Sequence, residues 1–407
     1  MTSWLGSRRR LLGFAAGSLF AGLTPRALAR SGPLLSRLRV GNGGPPFEGD
    51  TPLLTTLTAA EDRRIARLEF HLARRATVSF DVEETGQGVA SERPVTSGET
   101  GLSHREMSLE AGVHSVGWGP PPSLAPRTYV LRLTAADRSR RNAPAATSSL
   151  HAVARVLGID AAFTARSARS GDAVSLTIRA DASSLSLQMI RCGPEQQPTY
   201  ANNELKGIPV GGPHHHGWSG HRDGAAGVYV ELGGDWPSGI YAARIDSNDG
   251  RTGFAPLVLR PRSPLQRVAV VVPTGTWQAY NFYDANGDGW GDTWYARWKT
   301  TEIDLSRPHA DRGVPYRFRS YELSFYHWLA GHGIAVDYYS DEDVEQFADP
   351  TALRAAYDLL VFPGHTEYVT TRLYDMVQGY RDLGGNLLFL SANNFFRWVH
   401  RAGARLH

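Results

Sequence analysis

The chain has 407 residues, with 43 lysines and arginines against 40 aspartates and glutamates, and one cysteine, Cys192. Four of the arginines and no acidic residue fall in the first 29 positions, so the remainder carries 39 basic and 40 acidic side chains. This near-neutral balance gives no electrostatic support for nucleic-acid binding, and a lone cysteine excludes an internal disulfide. The length predicts two or three domains.

The N-terminus predicts export. Residues 1–30 have the pattern of a twin-arginine signal peptide, with Arg8 and Arg9 following Ser7, then a short apolar stretch, Leu11–Leu23, and the small residues of Ala27–Ala29. An ordinary Sec signal peptide or a retained anchor is the alternative. No later segment is apolar and long enough to span a bilayer. We therefore expect a periplasmic or secreted protein with no membrane span once the signal is removed.

Two strand-rich segments follow. Between about Leu54 and Asp137, and again over Val153–Pro261, apolar and polar residues alternate, and clusters rich in proline and glycine interrupt the runs. Alternation with turns at short intervals is typical of β-sandwiches. The pattern predicts two Ig-like β-sandwich domains at 31–140 and 151–263, joined by a linker at 141–150.

After Pro264 the pattern changes to buried strands alternating with helices, which predicts an α/β domain with a parallel sheet of the glutamine-amidotransferase/flavodoxin-like kind over 264–407. Strands are predicted at Val268–Val272, Val336–Tyr339, Leu359–Phe362 and Asn386–Leu390, and helices at Glu322–Ala330 and Thr371–Leu383. The segments that follow parallel strands meet at one edge of the sheet, where ligands bind. Here these segments are Thr274–Asn281, Ser340–Asp343, Gly364–Tyr368 and Ser391–Asn394, and the third brings a histidine, a carboxylate and a phenol together.

The same segments carry a family resemblance. In order and spacing, five motifs resemble the C-terminal domain of the N,N-dimethylformamidase large (beta) subunit-like family over about residues 266–400: Thr276–Asn281, Tyr321–Leu329, Gly364–Tyr368, Gly384–Leu387 and Ala392–Asn394. The resemblance implies a hydrolase of small N-alkylated amides with a mononuclear iron held by two tyrosines and one glutamate. It also leaves room for a small partner subunit or a homo-oligomer.

Carried over residue by residue, the resemblance implies that Glu367 is the glutamate ligand and Tyr280 the first tyrosine. The second is Tyr316, with Tyr321 as the alternative. Phenolates and carboxylates are hard anionic ligands that suit a ferric ion, which can acidify water and polarise a carbonyl. We expect His365 to orient Glu367 or to carry a proton, and we assign Asn281 to the catalytic group with them. Each tyrosine has packing as its alternative role.

Two departures from the family pattern bear on function. The loop Tyr283–Asp292 contains a D-x-N-x-D-G core that resembles the start of a calcium loop, with Asp284, Asn286, Asp288 and Asp292 as the candidate ligands. Position twelve is Tyr295 in place of the bidentate glutamate, so a turn held by Asx side chains is the alternative. The second departure is an expected C-terminal truncation of the α/β domain, since the family continues with further strands.

The run His214-His215-His216 also attracts attention. Consecutive histidines point in different directions, so we expect a loop near the mouth of the site rather than a dedicated metal site. His216 and His221 form the one pair that merits a test. Cys192 follows a strand-like run and is expected to be a buried thiol without catalytic function.

Taken together, the sequence predicts an exported, metal-dependent hydrolase of a small amide C–N bond. The rival prediction is a non-catalytic periplasmic or surface binding protein, with β-sandwich modules and a calcium-stabilised loop.

Overall fold

The computed structural model describes residues 32–59, 61–85, 95–96, 104–137, 146–197, 199, 201–295 and 300–407. The predicted signal peptide at 1–30 lies outside the described residues, as does the first part of the predicted linker. Pro33–His407 cluster as one unit. The described chain is mostly β-strand, divided among several separate sheets.

In the described residues, the first β-module contains nine strands: β1 Leu35–Gly41, β2 Leu54–Leu57, β3 Ala66–Leu72, β4 Ala76–Glu84, β5 Val95–Thr96, β6 His104–Leu109, β7 Gly112–Trp118, β8 Thr128–Asp137 and β9 Ala146–Val156. One sheet has the order β1-β3-β7, and the other has the order β2-β9-β8-β4-β5 with β6 beside β4. The sheets share one core, to which β3 contributes Phe70 and β8 contributes Leu131. Apolar residues of each strand face that core because successive side chains point to opposite faces.

The end of this module differs from the sequence-based expectation. β9 pairs with β8 along its whole length and runs parallel to β2, so residues 146–150 of the predicted linker are strand. The module therefore extends to Val156 and not only to residue 140. The small polar residues of this segment resemble a linker in composition, but backbone pairing with β8 holds them in the sheet.

Within the described part of the chain, the second β-module contains eight strands: β10 Ile159–Phe163, β11 Ser167–Arg169, β12 Ala173–Ala180, β13 Ser184–Cys192, β14 Ile208–Gly217, β15 Ala225–Glu231, β16 Gly239–Ser247 and β17 Thr252–Arg260. Its sheets have the orders β10-β12-β15 and β11-β17-β16-β13-β14 and enclose a second core. Both modules contain a tyrosine corner, in which a tyrosine near the start of a strand bonds through its hydroxyl to a backbone carbonyl just before the strand. The Tyr129 hydroxyl donates to the Ala125 carbonyl, and the Tyr241 hydroxyl donates to the Pro237 carbonyl, each over 2.8 Å.

A four-stranded parallel sheet follows, in the order β20-β18-β21-β23. Its strands are β18 Val268–Val272, β20 Asp337–Ser340, β21 Leu359–Phe362 and β23 Asn386–Phe389. On β18, Val270 and Val272 pack against the second β-module, while Ala269 and Val271 pack against helices on the other face. Burial on both faces explains why this strand is apolar throughout.

The remaining elements surround this sheet. The helices are α1 Thr274–Ala279, α2 Ala310–Gly313, α3 Ser324–Gly331, α4 Asp341–Glu345, α5 Pro350–Ala356 and α6 Thr371–Asp382, with a π-helical turn at Arg319–Leu323 and 3-10 turns at Glu61–Arg63 and Ser219–His221. Short strands β19 Ile303–Asp304, β22 Tyr368–Thr370, β24 Arg397–Val399, β25 Arg401–Ala402 and β26 Arg405–Leu406 form two small sheets. In the described residues, none of these helices has the length and apolar character that crossing a bilayer requires.

Polar side chains cap the N-termini of three helices beside the sheet. The Ser340 and Asp343 side chains form a capping box at the start of α4, and the Asp349 carboxylate caps α5, whose first residue is Pro350. Thr370 caps α6, which buries Leu373, Met376, Val377 and Tyr380 along one face. Ser340 is also the last residue of β20, so its cap places Asp341 and Asp343 directly at the carboxyl edge of the sheet.

Candidate functional site

Hydrogen bonds join the four segments that follow the parallel strands, the fourth of them through the Asn394 side chain, which accepts from the Thr366 N–H at 3.2 Å. The Asp341 carboxylate accepts from the Thr274 hydroxyl at 2.5 Å and from the Gly275 N–H at 2.9 Å. The Thr276 hydroxyl accepts from the Glu367 N–H at 3.1 Å. The segments therefore meet at one edge, as parallel topology requires.

Tyr280, Glu367 and His365 lie together at this edge. The Tyr280 hydroxyl donates a hydrogen bond to Oε2 of Glu367 and lies 3.3 Å from Nδ1 of His365. Tyr280 and Glu367 are buried, and His365 is half-buried. Burial, followed by the neighbouring Glu367 carboxylate, raises the pKa of Tyr280, whereas burial and the charge of Arg317 lower the pKa of His365. In the absence of a bound cation, these shifts favour a neutral phenol and a neutral imidazole.

Tyr316 and Tyr321, the two candidates for the second tyrosine, contact a common residue. Arg317 donates from Nε to the Tyr316 hydroxyl at 3.2 Å and from Nη1 to the Tyr321 hydroxyl at 3.3 Å. The Tyr316 ring lies edge-on to Tyr280, with 6.5 Å between their centroids. The Tyr321 ring stacks on His365 at 4.4 Å. Tyr316 is thus the closer of the two to the ring of Tyr280, and Tyr321 is the closer to His365.

Tyr321 owes its position to the π-helical turn at Arg319–Leu323, which precedes α3. The sequence predicts a helix at Glu322–Ala330, but regular α-helix begins only at Ser324. The wider turn places Tyr321 against His365 and Glu322 against the neighbouring core. π-Turns inside helices are frequent at functional sites.

Asn281 has a different environment from the other predicted catalytic residues. Its Nδ2 donates to the Pro308 carbonyl at 2.8 Å and to Oε1 of Gln278 at 3.0 Å. Its Oδ1 accepts from the Ala310 N–H at 2.9 Å and from the Tyr283 N–H at 3.1 Å. The amide is therefore engaged in fixing the segment after α1 to residues 308–310.

The predicted calcium loop is held together by its own hydrogen bonds. Asp284 accepts from the Gly287 and Gly289 N–H groups, at 2.7 and 2.8 Å, and Asn286 accepts from the Asp288 N–H at 2.8 Å. Asp292 accepts from the Asn286 side chain at 2.7 Å. Asp288 caps the Trp290 N–H at 2.9 Å. This is the arrangement of successive Asx turns, the alternative considered from the sequence.

The glycines of this loop have a packing role. Gly289 has a φ of +94°, and a Cβ there would collide with Val130 of the first β-module. Arg155 of that module donates to the Asp284 carbonyl at 3.3 Å. Burial raises the pKa of the Asp284 carboxyl to about 6, while the Thr128 hydroxyl and the Gly289 N–H lower it. The loop therefore connects the parallel-sheet region to the first β-module.

The other predicted candidates lie on the second β-module. His214, His215 and His216 lie on the edge strand β14, where their side chains alternate between faces, and His221 lies in a 3-10 turn with its ring 5.1 Å from Trp218. Cys192 is buried and unpaired, and burial raises its pKa. The described residues contain no cluster of three or more histidine, cysteine, aspartate or glutamate side chains arranged to bind a metal.

Three further residues at the site were not singled out by the sequence. Arg317 has a φ of +57° and holds both candidate tyrosines. Asn393, which has a φ of +56°, hydrogen-bonds Tyr280 through its side chain. Glu322 lies beneath the 364–368 segment. Asn393 lies in a segment that the topology had assigned to the edge, whereas nothing in the local sequence distinguished Arg317 or Glu322.

No curated protein matches this chain. Solved structures with some likeness include a Salmonella alpha-2-macroglobulin reacted with methylamine, at 10% identity and a TM-score of 0.28, with 56% of this chain and 17% of that chain covered. Another is the adhesin InvE of Yersinia pseudotuberculosis, at 12% identity and a TM-score of 0.19, with 56% and 60% covered. This chain thus spans about a sixth of the macroglobulin, and likenesses at such scores support no inference about function.

The family comparison covers the parallel sheet and part of the second β-module. The match begins at residue 217, which is earlier than the start near 266 expected from the motifs, and so includes β15, β16 and β17. The family resemblance stated from the sequence is confirmed, because residues 217–406 match the model of the N,N-dimethylformamidase beta subunit-like, C-terminal family.

Proposed function

We propose that this protein is an exported, metal-dependent hydrolase of a small amide C–N bond. In this proposal, Tyr280, Glu367 and a second tyrosine hold a mononuclear ferric iron. The observation that carries it is the direct contact of the Tyr280 hydroxyl with the Glu367 carboxylate at the carboxyl edge of the parallel sheet, inside the family-matched region. Tyr316 is the preferred second ligand, and Tyr321 is the alternative.

The chemistry of the donor set fits such an ion. Two phenols and one carboxylate supply hard oxygen donors, and the contacts among Tyr280, Glu367 and Tyr316 bring them within one region. Iron, when bound, would supply a Lewis acid that polarises the amide carbonyl and acidifies water. Glu367 already accepts a hydrogen bond from the Tyr280 hydroxyl, so two of the proposed donor oxygens are in contact.

The residues around Tyr280 support proton transfer and the exclusion of water. His365 is half-buried with Nδ1 near the Tyr280 hydroxyl, a position from which it can pass a proton to or from the site. The rings of Tyr295 and Tyr316 pack beside Tyr280, Phe282 packs against Tyr316, and together they limit water on that side. Arg317 donates hydrogen bonds to both candidate tyrosines and so holds their hydroxyl oxygens in place.

The proposal includes the finer points of architecture and location. The repeated tyrosine corner supports Ig-like sandwiches for both β-modules, and the parallel sheet with helices beside it supports a glutamine-amidotransferase/flavodoxin-like α/β domain. The twin-arginine pattern supports export to the periplasm. A small N-alkylated amide is the proposed substrate class, and a small partner subunit or a homo-oligomer is the proposed assembly.

Elemental analysis of the purified protein tests the proposal most directly. Wild type is compared with Tyr280→Phe and Glu367→Gln, and with Tyr374→Phe as a control on the exposed side of α6. The proposal predicts near-stoichiometric iron and a visible phenolate-to-iron absorption in wild type and control. Both should be lost in the two site variants. Release of dimethylamine from N,N-dimethylformamide should follow the iron content.

The same comparison separates the two candidate tyrosines. Tyr316→Phe should remove the absorption if Tyr316 is the second ligand, and Tyr321→Phe should remove it if Tyr321 is. Iron that stays bound with unchanged absorption in Tyr280→Phe and Glu367→Gln would contradict the proposed ligand set. A protein that contains only calcium would contradict the iron site altogether.

A further inference from the structure

Glu322 is a buried carboxyl group in apolar surroundings. Its side chain is 2% exposed and lies within the core shared by the parallel sheet and the second β-module, near Leu323, Trp277 and Tyr326. Oε1 accepts a hydrogen bond from the Trp277 indole N–H at 3.2 Å. Oε2 is buried and has no hydrogen-bond partner among the residues that the structure describes. A buried polar atom of this kind calls for an explanation, because it costs stability.

Three segments that carry the proposed site meet at this carboxyl group. Trp277 lies in α1, the helix that ends directly before Tyr280. Glu322 itself follows Tyr321 in the π-helical turn. The third segment is the turn at Gly364, where a Cβ would collide with Oε1 and Cδ of Glu322. Gly364 immediately precedes His365, and Glu367 is three residues further on.

We propose that Glu322 is a positioning residue that sets the 364–368 segment against Tyr280 and Tyr321. The inference rests on the proposed function for its catalytic meaning, but the positioning itself concerns only this chain. The contact between the Glu322 side chain and Gly364 sets how far the turn lies from the core. The hydrogen bond from the Trp277 indole N–H fixes the position of the Glu322 carboxyl group. His365 is thereby held on the Tyr321 ring, and Glu367 is held at the Tyr280 hydroxyl.

A purely structural role would favour another residue. An apolar side chain of similar length would fill the same space without the cost of a buried carboxyl group. Burial raises the pKa of Glu322 to about 8, and the Trp277 N–H only partly opposes this effect. What the carboxyl group offers beyond volume is an acceptor with fixed geometry, which the indole N–H uses. The side-chain amide oxygen of a glutamine at this position would offer the indole N–H the same acceptor.

The test compares Glu322→Gln, which keeps the size and the acceptor, with Glu322→Met, which keeps only the size. Trp277→Phe removes the hydrogen-bond donor and leaves the Glu322 acceptor in place. It replaces Glu322→Met in the comparison if the methionine variant does not fold. Asp337→Asn is the matched control, because Asp337 is a buried carboxylate at the opposite end of the same sheet, bonded to Leu265, Gln266 and Tyr357. It controls for loss of stability alone.

The first measurement is the ring C–H NMR signal of His365 in metal-free protein, identified by its absence in His365→Asn. Stacking on Tyr321 shifts this signal, so it reports the position of the turn. We expect the signal to move in Glu322→Met and Trp277→Phe and to stay in place in Glu322→Gln and Asp337→Asn. The second measurement is iron affinity, which we expect to fall about 10- to 100-fold in Glu322→Met, the usual effect of losing a residue that orients a ligand.

The outcomes are distinguishable. An unmoved His365 signal in both Glu322→Met and Trp277→Phe overturns the inference, whatever the iron content. So does a signal that moves equally in Glu322→Gln, or equally in Asp337→Asn. If the wild-type protein binds no iron, the proposed function fails, but the NMR comparison still decides whether Glu322 positions the turn.

Discussion

His309 should make the folded protein sensitive to mild acid. It lies just before α2, is 8% exposed, and has its Nε2 3.4 Å from Nε2 of Gln278. Its Nδ1 has no partner within the described part of the chain. Burial, assisted by the positive charge of Arg307, lowers the pKa of His309 from 6.5 to about 3. The folded state therefore keeps this imidazole neutral where the unfolded chain has already taken up a proton.

The sign and the size of the effect follow from these two values. Because the folded pKa is lower, stability is retained above pH 6.5 and is lost as the pH falls toward about 3. At about 1.4 kcal/mol per pKa unit, the full loss is roughly 5 kcal/mol, and the part lost between about pH 7.5 and 5 is about 2 kcal/mol. Glutamine is polar, similar in reach and does not titrate, so His309→Gln should lose this contribution to the pH dependence.

Urea unfolding, followed by tryptophan fluorescence at pH 7.5 and pH 5, measures the difference. Wild type should lose about 2 kcal/mol more than His309→Gln between the two pH values. His214→Gln, on the exposed face of an edge strand, is the control and should behave like wild type. Equal pH dependence in wild type and His309→Gln would refute the reasoning, because it would mean that His309 titrates alike in the folded and unfolded chains.

Two further predictions concern the scaffold. Gly313 has a φ of +90°, and a Cβ there would collide with the Phe254 carbonyl, so Gly313→Ala should lower the free energy of unfolding by about 2 kcal/mol or more in a thermal or urea assay. Gly331→Ala, in α3 with open space around the added methyl, should instead raise it by roughly 0.5–1 kcal/mol, and similar losses in both variants would be contrary evidence. Tyr129→Phe and Tyr241→Phe should each cost about 1 kcal/mol, since each removes one hydroxyl bond to a carbonyl four residues earlier. A neutral result in either variant would show that the corner bond contributes nothing to stability.

Much of the secondary structure could be predicted from local pattern. Val268–Val272 and Leu359–Phe362 are strands with the predicted bounds, and the predicted helix at Thr371–Leu383 is present at Thr371–Asp382. Helix α5 at Pro350–Ala356 is not among the predicted elements, although Asp349 and Pro350 give it a recognisable start. The strand at Ala146–Val156 has a linker-like composition and is stabilised by its two neighbours in the sheet.

By itself, the sequence determined the alternation of strands and helices, the parallel edge to which the polar segments are delivered, and the motifs that carry the family resemblance. These features are local, because periodicity and turn residues act over a few positions. Only the tertiary structure decided which side chains meet. Tyr280 and Glu367 are 87 positions apart and touch, and Arg317 links Tyr316 with Tyr321. Asn281, assigned to the catalytic group from its place in a motif, hydrogen-bonds Pro308 and Ala310. Such contacts depend on how whole elements pack, which no short stretch of the chain encodes.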